Sequence, residues 1–365
     1  MHKTSAWPLA AIYAVLIVFA SLFPFSGWRA QGLEPWMFLA APLPPPYWTG
    51  FDVTSNLIGY APLGFLLALA LLRTGWTRGA VWWAALAGSL LSLAMEFLQI
   101  YLPRRVPSNL DLVLNAAGTW LGALLTTLLE RWGAIDRWSL FRGRWFVPDA
   151  RGALVLMALW PAALLFPAAV PFGLGQVLER LEAAIEQALQ DTPCIDWMPM
   201  REAVLEPLSP GGEVLCVMLG LLVPSLLGYC VIRHVGRRAV FATGVLVIGV
   251  AVTALSAALS WGPAHAWGWL DEPVRVGVWA AAGMAVLLLM LPRRASAAVL
   301  LVALVWHLAL LNQAPTNVYF AQTLMQWEQG RFIRFYGLGQ WLGWLWPYVA
   351  LLYVLVRVSR KDAHP

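Results

Sequence analysis

Eight polar side chains stand in a stretch whose apolar neighbours offer them no water: Asp52, Asn56, Glu96, Gln99, Arg104, Arg105, Asp111 and Asn115. Each type brings a chemistry. Arginine offers forked donors that fit phosphate or carboxylate, and the side-chain amides suit the hydroxyl and amide groups of sugars and peptides. A buried carboxylate can take on the raised pKa of a general acid or base. Glu96, with Asp111 as its charge partner, is therefore the candidate catalytic pair. An ionisable group inside a membrane costs roughly 2.5–3.5 kcal/mol on insertion scales, so such groups are functional or mutually paired. A structural reading stands beside the functional one: Asp52 and Asp111 as helix caps, the amides as cross-helix bonds, Glu96 as the partner of Arg104 or Arg105. Against it weighs the concentration of so many polar groups at one depth, which a bare scaffold does not need.

The spacing repeats. Asp52, Asn56 and Gly59 are echoed by Asp111, Asn115 and Gly118 in the same Asp-x-x-x-Asn-x-x-Gly order. The four-residue step puts Asp and Asn on one helix face, a turn apart. Gly118 and Gly122 form a GxxxG pair, which admits a second backbone closely. On the segment between the two copies Glu96 and Gln99 share a face. All three segments thus present a carboxylate and an amide within about two turns of one boundary. Pro103-Arg104-Arg105-Val106-Pro107 makes a tight polar corner between the last two.

Helices in lipid must carry these groups. Of 365 residues 60% are hydrophobic and 12% charged, where a soluble domain has about 25% charged. The fold class is an all-α, polytopic membrane helix bundle. At about 20 apolar residues per crossing, ten spans fall near 7–25, 52–73, 80–102, 110–130, 150–171, 213–232, 239–260, 274–291, 295–312 and 338–357. The fifth contains Pro161, Pro167 and Pro171, so a kink is expected there. The first runs into Ser26-Gly27-Trp28-Arg29 without a small-x-small cleavage site and reads as a helix, not a signal peptide.

Loop charges set the orientation. With the N-terminus inside, 16 of the 24 Lys and Arg lie in cytoplasmic loops, and 15 of the 19 Asp and Glu lie outside. Both termini are expected in the cytoplasm, and the Glu96–Asp111 corner faces outward. The domain reading is a four-helix domain over 1–133, a cytoplasmic linker over 134–149 and a six-helix domain over 150–365. The last carries an outer amphipathic segment near 174–205, with Leu174, Val177, Leu178, Leu181, Ile185 and Leu189 at helical spacing over 174–190. Residues 312–337 form an aromatic-basic strip in which Arg331 and Arg334 are secondary site candidates.

Other chemistry is thin. Cys194, Cys216 and Cys230 lack metal-ligand spacing, and His265 and His307 are lone histidines. There is no paired-histidine motif, no Ser-His-Asp set, no glycine-rich phosphate loop and no Walker motif. No cofactor and no metal are expected. The net charge of +5 reflects arginine-rich loops, and nucleic acid is not an expected partner.

The ordered set Ser21-Leu22-Phe23-Pro24-Phe25, Asp52 and Asn56, Pro62-Leu63-Gly64-Phe65-Leu66, Glu96-Phe97-Leu98-Gln99, Pro103-Arg104-Arg105, Ser108, Asp111-Leu112, Asn115, Gly118 and Leu121-Gly122 resembles the VanZ-like family over about residues 7–130. The resemblance implies a multi-pass protein of the bacterial cytoplasmic (inner) membrane and cell envelope. It also implies a link to resistance against teicoplanin, a lipid-tailed glycopeptide antibiotic acting on cell-wall precursors. It defines no catalytic residues to carry over, and this chain departs from it at Asn56, where many members have histidine. The leading expectation is a binding protein whose outward polar site takes a lipid or cell-wall-linked anionic ligand. Membrane lipids and lipid-linked cell-wall intermediates would be its partners, and sensitivity to lipoglycopeptide-type antibiotics its readout. An enzyme acting on a membrane lipid or lipid-linked glycan, with Glu96 as general acid or base, is the alternative. A transporter or flippase is third, because the ionisable groups gather at one leaflet instead of at the midplane of several spans.

Overall fold

The computed structural model describes residues 4–23, 25–32, 34, 36–45, 48, 50–103, 105–166, 168–190, 192, 205–315 and 333–359, with side chains described for all of these but 51 and 333–338. Among them are twelve α-helices: α1 (Ala6–Leu22), α2 (Gly50–Arg73), α3 (Ala80–Gln99), α4 (Asn109–Arg131), α5 (Ala134–Trp145), α6 (Arg151–Ala163), α7 (Leu178–Leu189), α8 (Pro210–Tyr229), α9 (Val235–Trp261), α10 (Glu272–Leu287), α11 (Arg293–Leu311) and α12 (Ile333–Ser359). The described residues hold no strand, only an isolated antiparallel bridge between Phe146 and Ile232. Among the described residues eight helices are long and apolar enough to cross a membrane: α2, α3, α4, α8, α9, α10, α11 and α12. The protein is thus a helical membrane bundle. It divides into two compact units, Met1–Gly143 and Arg144–Pro365.

In the first unit α2, α3 and α4 pack on one another and α1 lies against α2 and α3. The tightest seam joins α2 to α4 and is made of backbone. A methyl group added at Gly118 would collide with the Leu57 carbonyl, one at Gly122 with the Ala61 carbonyl, and one at Gly64 with the Thr119 carbonyl. Further along, the Thr126 hydroxyl donates to the Phe65 carbonyl at 3.0 Å. Leu57, Ala61 and Phe65 thus meet Gly118, Gly122 and Thr126 in step, one turn at a time on both helices, so α2 and α4 run parallel. That register also sets the two Asp-x-x-x-Asn copies side by side at one height. The small-residue pattern is what membrane helices need, because lipid supplies no hydrophobic drive and close approach must come from packing. At the other end of α2, Arg73 donates to the Ile135 carbonyl and to the Ser139 hydroxyl, anchoring α5.

The second unit is built round α8. From Cys216 to Tyr229 every residue but Met218 is buried, and α6, α9, α10 and α11 pack against it. A helix apolar on all sides belongs in such a central place. Arg238, only 5% exposed, donates to the carbonyls of Ile232 (3.3 Å), Leu289 (3.0 Å) and Leu291 (2.6 Å). It satisfies chain ends that helix geometry leaves without partners. Paired backbone bonds, Val147 N–H to Val231 O at 2.9 Å and Arg233 N–H to Trp145 O at 3.0 Å, close the same end.

The fifth expected span takes another form. α6 has 13 residues, about 20 Å, against a hydrocarbon layer of about 30 Å. Beyond Ala163 the backbone is irregular yet buried, with Phe166, Phe172, Leu174 and Gln176 all inside. Pro167 disfavours helical backbone at the residue before it, and Gly175 sits at φ +97°, where other residues are strained. The amphipathic helix accordingly starts at Leu178, not at 174, and Leu174 joins the core. Irregular backbone at this depth is tolerated only when protein surrounds it.

Candidate functional site

The polar corner starts from a helix cap. Ser108, extended at φ −135° and ψ 128°, caps α4 by accepting the Asp111 N–H on its hydroxyl at 3.3 Å. The Glu96 carboxylate, 3% exposed at the end of α3, accepts the backbone N–H of Ser108 at 2.8 Å. An anion therefore stands at the N-terminus of α4, the end where the helix dipole favours negative charge. Asp111, half-buried, occupies the first turn of α4 on the same corner.

One turn deeper lies Asn115, 5% exposed. Its Nδ2 donates to the Ser92 hydroxyl oxygen at 2.9 Å, and Tyr60, buried on α2, stands near Ser92, Glu96 and Asp111. Asn115 Oδ1 is buried without a hydrogen-bond partner. A serine hydroxyl can donate or accept, so turning the amide over would only move the deficit to Nδ2. Either way one end of the Asn115 amide is buried without a hydrogen-bond partner. Tyr60, Ser92 and Ser108 were not among the site residues expected from sequence. Their signal was helical spacing: Ser92 lies four residues before Glu96, and Tyr60 four after Asn56.

Two further expected members bond to the end of α1. Gln99 Nε2 donates to the Ser21 carbonyl at 3.1 Å, and Arg105 Nη2 donates to the carbonyls of Ala20 (3.3 Å) and Phe23 (2.9 Å). Both hold the C-terminal end of α1, whose last carbonyls have no helical partner. Asp52 and Asn56 are half-buried in the first two turns of α2, level with Asp111 and Asn115 through the parallel register. Arg104 and Arg331 lie outside the described residues, as do the side chain of Arg334 and most of the strip over 312–337. Among the described residues no three His, Cys, Asp or Glu gather as a metal set. The buried Cys216 Sγ and His307 Nδ1, 3.8 Å apart in the second unit, form a pair only.

Fold and site together define a polytopic α-helical membrane protein with a polar cluster where three helices of its first unit meet. The model of the family described as VanZ/LLP1 matches residues 6–130, so the first unit is similar to VanZ-like membrane proteins. No curated protein and no solved structure matches the chain.

Proposed function

We propose that the first unit is a binding module of the bacterial cell envelope, in the cytoplasmic membrane with both termini inside. Its outward corner takes the polar head of a membrane lipid or a lipid-linked cell-wall intermediate, and it thereby alters sensitivity to lipoglycopeptide-type antibiotics. The observation that carries the reading is the unmet Asn115 amide end beside Ser92, Tyr60, Glu96 and Asp111. A buried polar atom without a partner costs about 1–3 kcal/mol, and a ligand hydroxyl or amide placed there would remove that cost. Glu96, Asp111, Asn115 and Asn56 form the ligand face. Gln99 and Arg105 hold α1 as its wall, and an anionic ligand would meet Arg105 at that edge.

The test compares lipids and glycans retained by the purified wild type with those retained by Asn115→Leu and Glu96→Gln, using mass spectrometry. If nothing binds, Asn115→Leu leaves retention unchanged and is tolerated. If the corner is the site, a head-group class present on the wild type is lost from both variants while they stay folded. Teicoplanin sensitivity of cells carrying each variant then links occupancy to phenotype.

A further inference from the structure

The stretch after α4 reads in the sequence as a linker, yet over 134–143 it is a helix with no buried residue. α5 starts three residues after Arg131, the last residue of the spanning helix α4. Its first two turns are pinned by Arg73, the last residue of α2, which donates to the Ile135 carbonyl at 3.0 Å and to the Ser139 hydroxyl. Two spans thus hold α5 at the level where both leave the membrane, at the end of the unit opposite the Glu96 corner.

The residues of α5 are sorted round its axis. Trp138 and Phe141, three apart, share one face, and their rings stack with centres 5.5 Å apart. They are 51% and 39% exposed. Arg137 stands four residues before Phe141 and Arg142 four after Trp138, so the two arginines flank the aromatic pair. Asp136, the one acid of the helix, falls nearly opposite Trp138 at about 100° per residue. Round the same boundary Trp76, Trp82, Trp83 and Trp132 are exposed, with the exposed Arg78 and Arg131 among them. Trp82 and Trp83 belong to the first turn of the spanning helix α3. Tryptophan and arginine gathered at the end of a bundle mark the headgroup layer. The aromatic strip of α5 continues that belt, whereas in water it would be bare apolar surface.

We propose that α5 is an anchor lying on the membrane surface, with Trp138 and Phe141 in the headgroup boundary and Arg137 and Arg142 on the phosphates of anionic lipids. A helix with arginines beside an aromatic strip, directly following a span, is the pattern that binds anionic bilayers. Guanidinium forks suit phosphate. A protein partner would need neither the belt of tryptophans nor the depth that Arg73 fixes. The anchor does not depend on the Glu96 corner.

The experiment follows amide hydrogen exchange of the full chain in nanodiscs of phosphatidylcholine alone and of phosphatidylcholine with phosphatidylglycerol. Phosphatidylglycerol is expected to slow exchange over 134–143 by about tenfold, from two arginines near an anionic surface, and to leave α2 and α4 unchanged. Arg137→Gln with Arg142→Gln removes the slowing, and Arg137→Lys with Arg142→Lys, which keeps the charge, retains it. If the glutamine pair does not fold, Arg137→Gln alone serves, since that side chain is exposed, and it cuts the slowing to about threefold. Exchange equally slow in both discs overturns the inference, because zwitterionic headgroups or a protein surface then cover the helix. So does a phosphatidylglycerol effect that the glutamine pair retains, or one that slows every helix alike.

Discussion

Gly175 donates its backbone N–H to the Gly343 carbonyl at 2.9 Å, an acceptor that α12 itself cannot use because Pro347 stands four residues on and has no N–H. The proline frees the carbonyl, and the irregular backbone after α6 takes it. Gly175 has no room to change: it sits at φ +97°, and an added methyl would strike Leu308 and Pro347. Gly175→Ala is expected to destabilise the second unit by about 2–4 kcal/mol, combining overpacking with backbone strain. Thermal unfolding in detergent checks it. A midpoint within a degree of the wild type would mean the segment is not seated as described.

The two Asp-x-x-x-Asn-x-x-Gly copies should respond differently at their glycines. Gly59 has open space round its missing side chain, whereas Gly118 lies against the Leu57 carbonyl. Gly59→Ala should be neutral or stabilising by up to about 1 kcal/mol, the usual helix gain. Gly118→Ala should cost about 1–3 kcal/mol by overpacking the α2–α4 seam. Paired melts of the two variants decide it; identical behaviour would refute the parallel backbone seam.

The sequence made the apolar lengths plain, and with them the positions of the long helices, because a membrane demands length and little else. It also picked out Glu96, Asp111 and Asn115, since ionisable and amide side chains in lipid are conspicuous. Tyr60 and Ser92 escaped because both are ordinary in membrane helices, and only their spacing to Asn56 and Glu96 marked them. Arg105 and Gln99 read as ligand donors from type alone. Their work on Ser21, Ala20 and Phe23 depends on where α1 ends in space, and no local pattern reports that. The early end of α6 was hidden for a similar reason: three prolines suggested a bend, but the acceptor that replaces the lost helix bonds lies far along the chain, at Gly343.

Arg105 and Gln99 should behave as parts of the wall. Gln99→Leu and Arg105→Leu each leave α1 carbonyls without donors and should destabilise the first unit by about 1–3 kcal/mol. The losses should be less than additive in the double variant, because both act on one chain end. Limited proteolysis at the α1 end, faster in the variants, gives the readout. Unchanged cleavage would return both residues to the ligand face.

The orientation set by loop arginines is testable directly. A reporter active only outside the cytoplasm, fused after Pro365, should stay silent, and one active only inside should signal. The reverse pattern would invert the bundle and put the Glu96 corner on the cytoplasmic side.

The backbone seam between α2 and α4 has a mechanical consequence. Where Gly64, Gly118 and Gly122 meet facing carbonyls there are no rotamers to exchange, and packed interfaces change by switching between discrete arrangements, not by gradual yielding. The pair therefore acts as one stiff beam. The remaining wall, α3, meets α4 through side chains such as Thr119 against Gly88, and it carries Ser92 and Glu96. Through Gln99 it also grips the end of α1. A tilt of α3 that opened the corner would carry the end of α1 with it through Gln99 and would strain the Glu96–Ser108 bond. A crosslink between α2 and α4 would leave that motion free, whereas one between α3 and α4 would lock it.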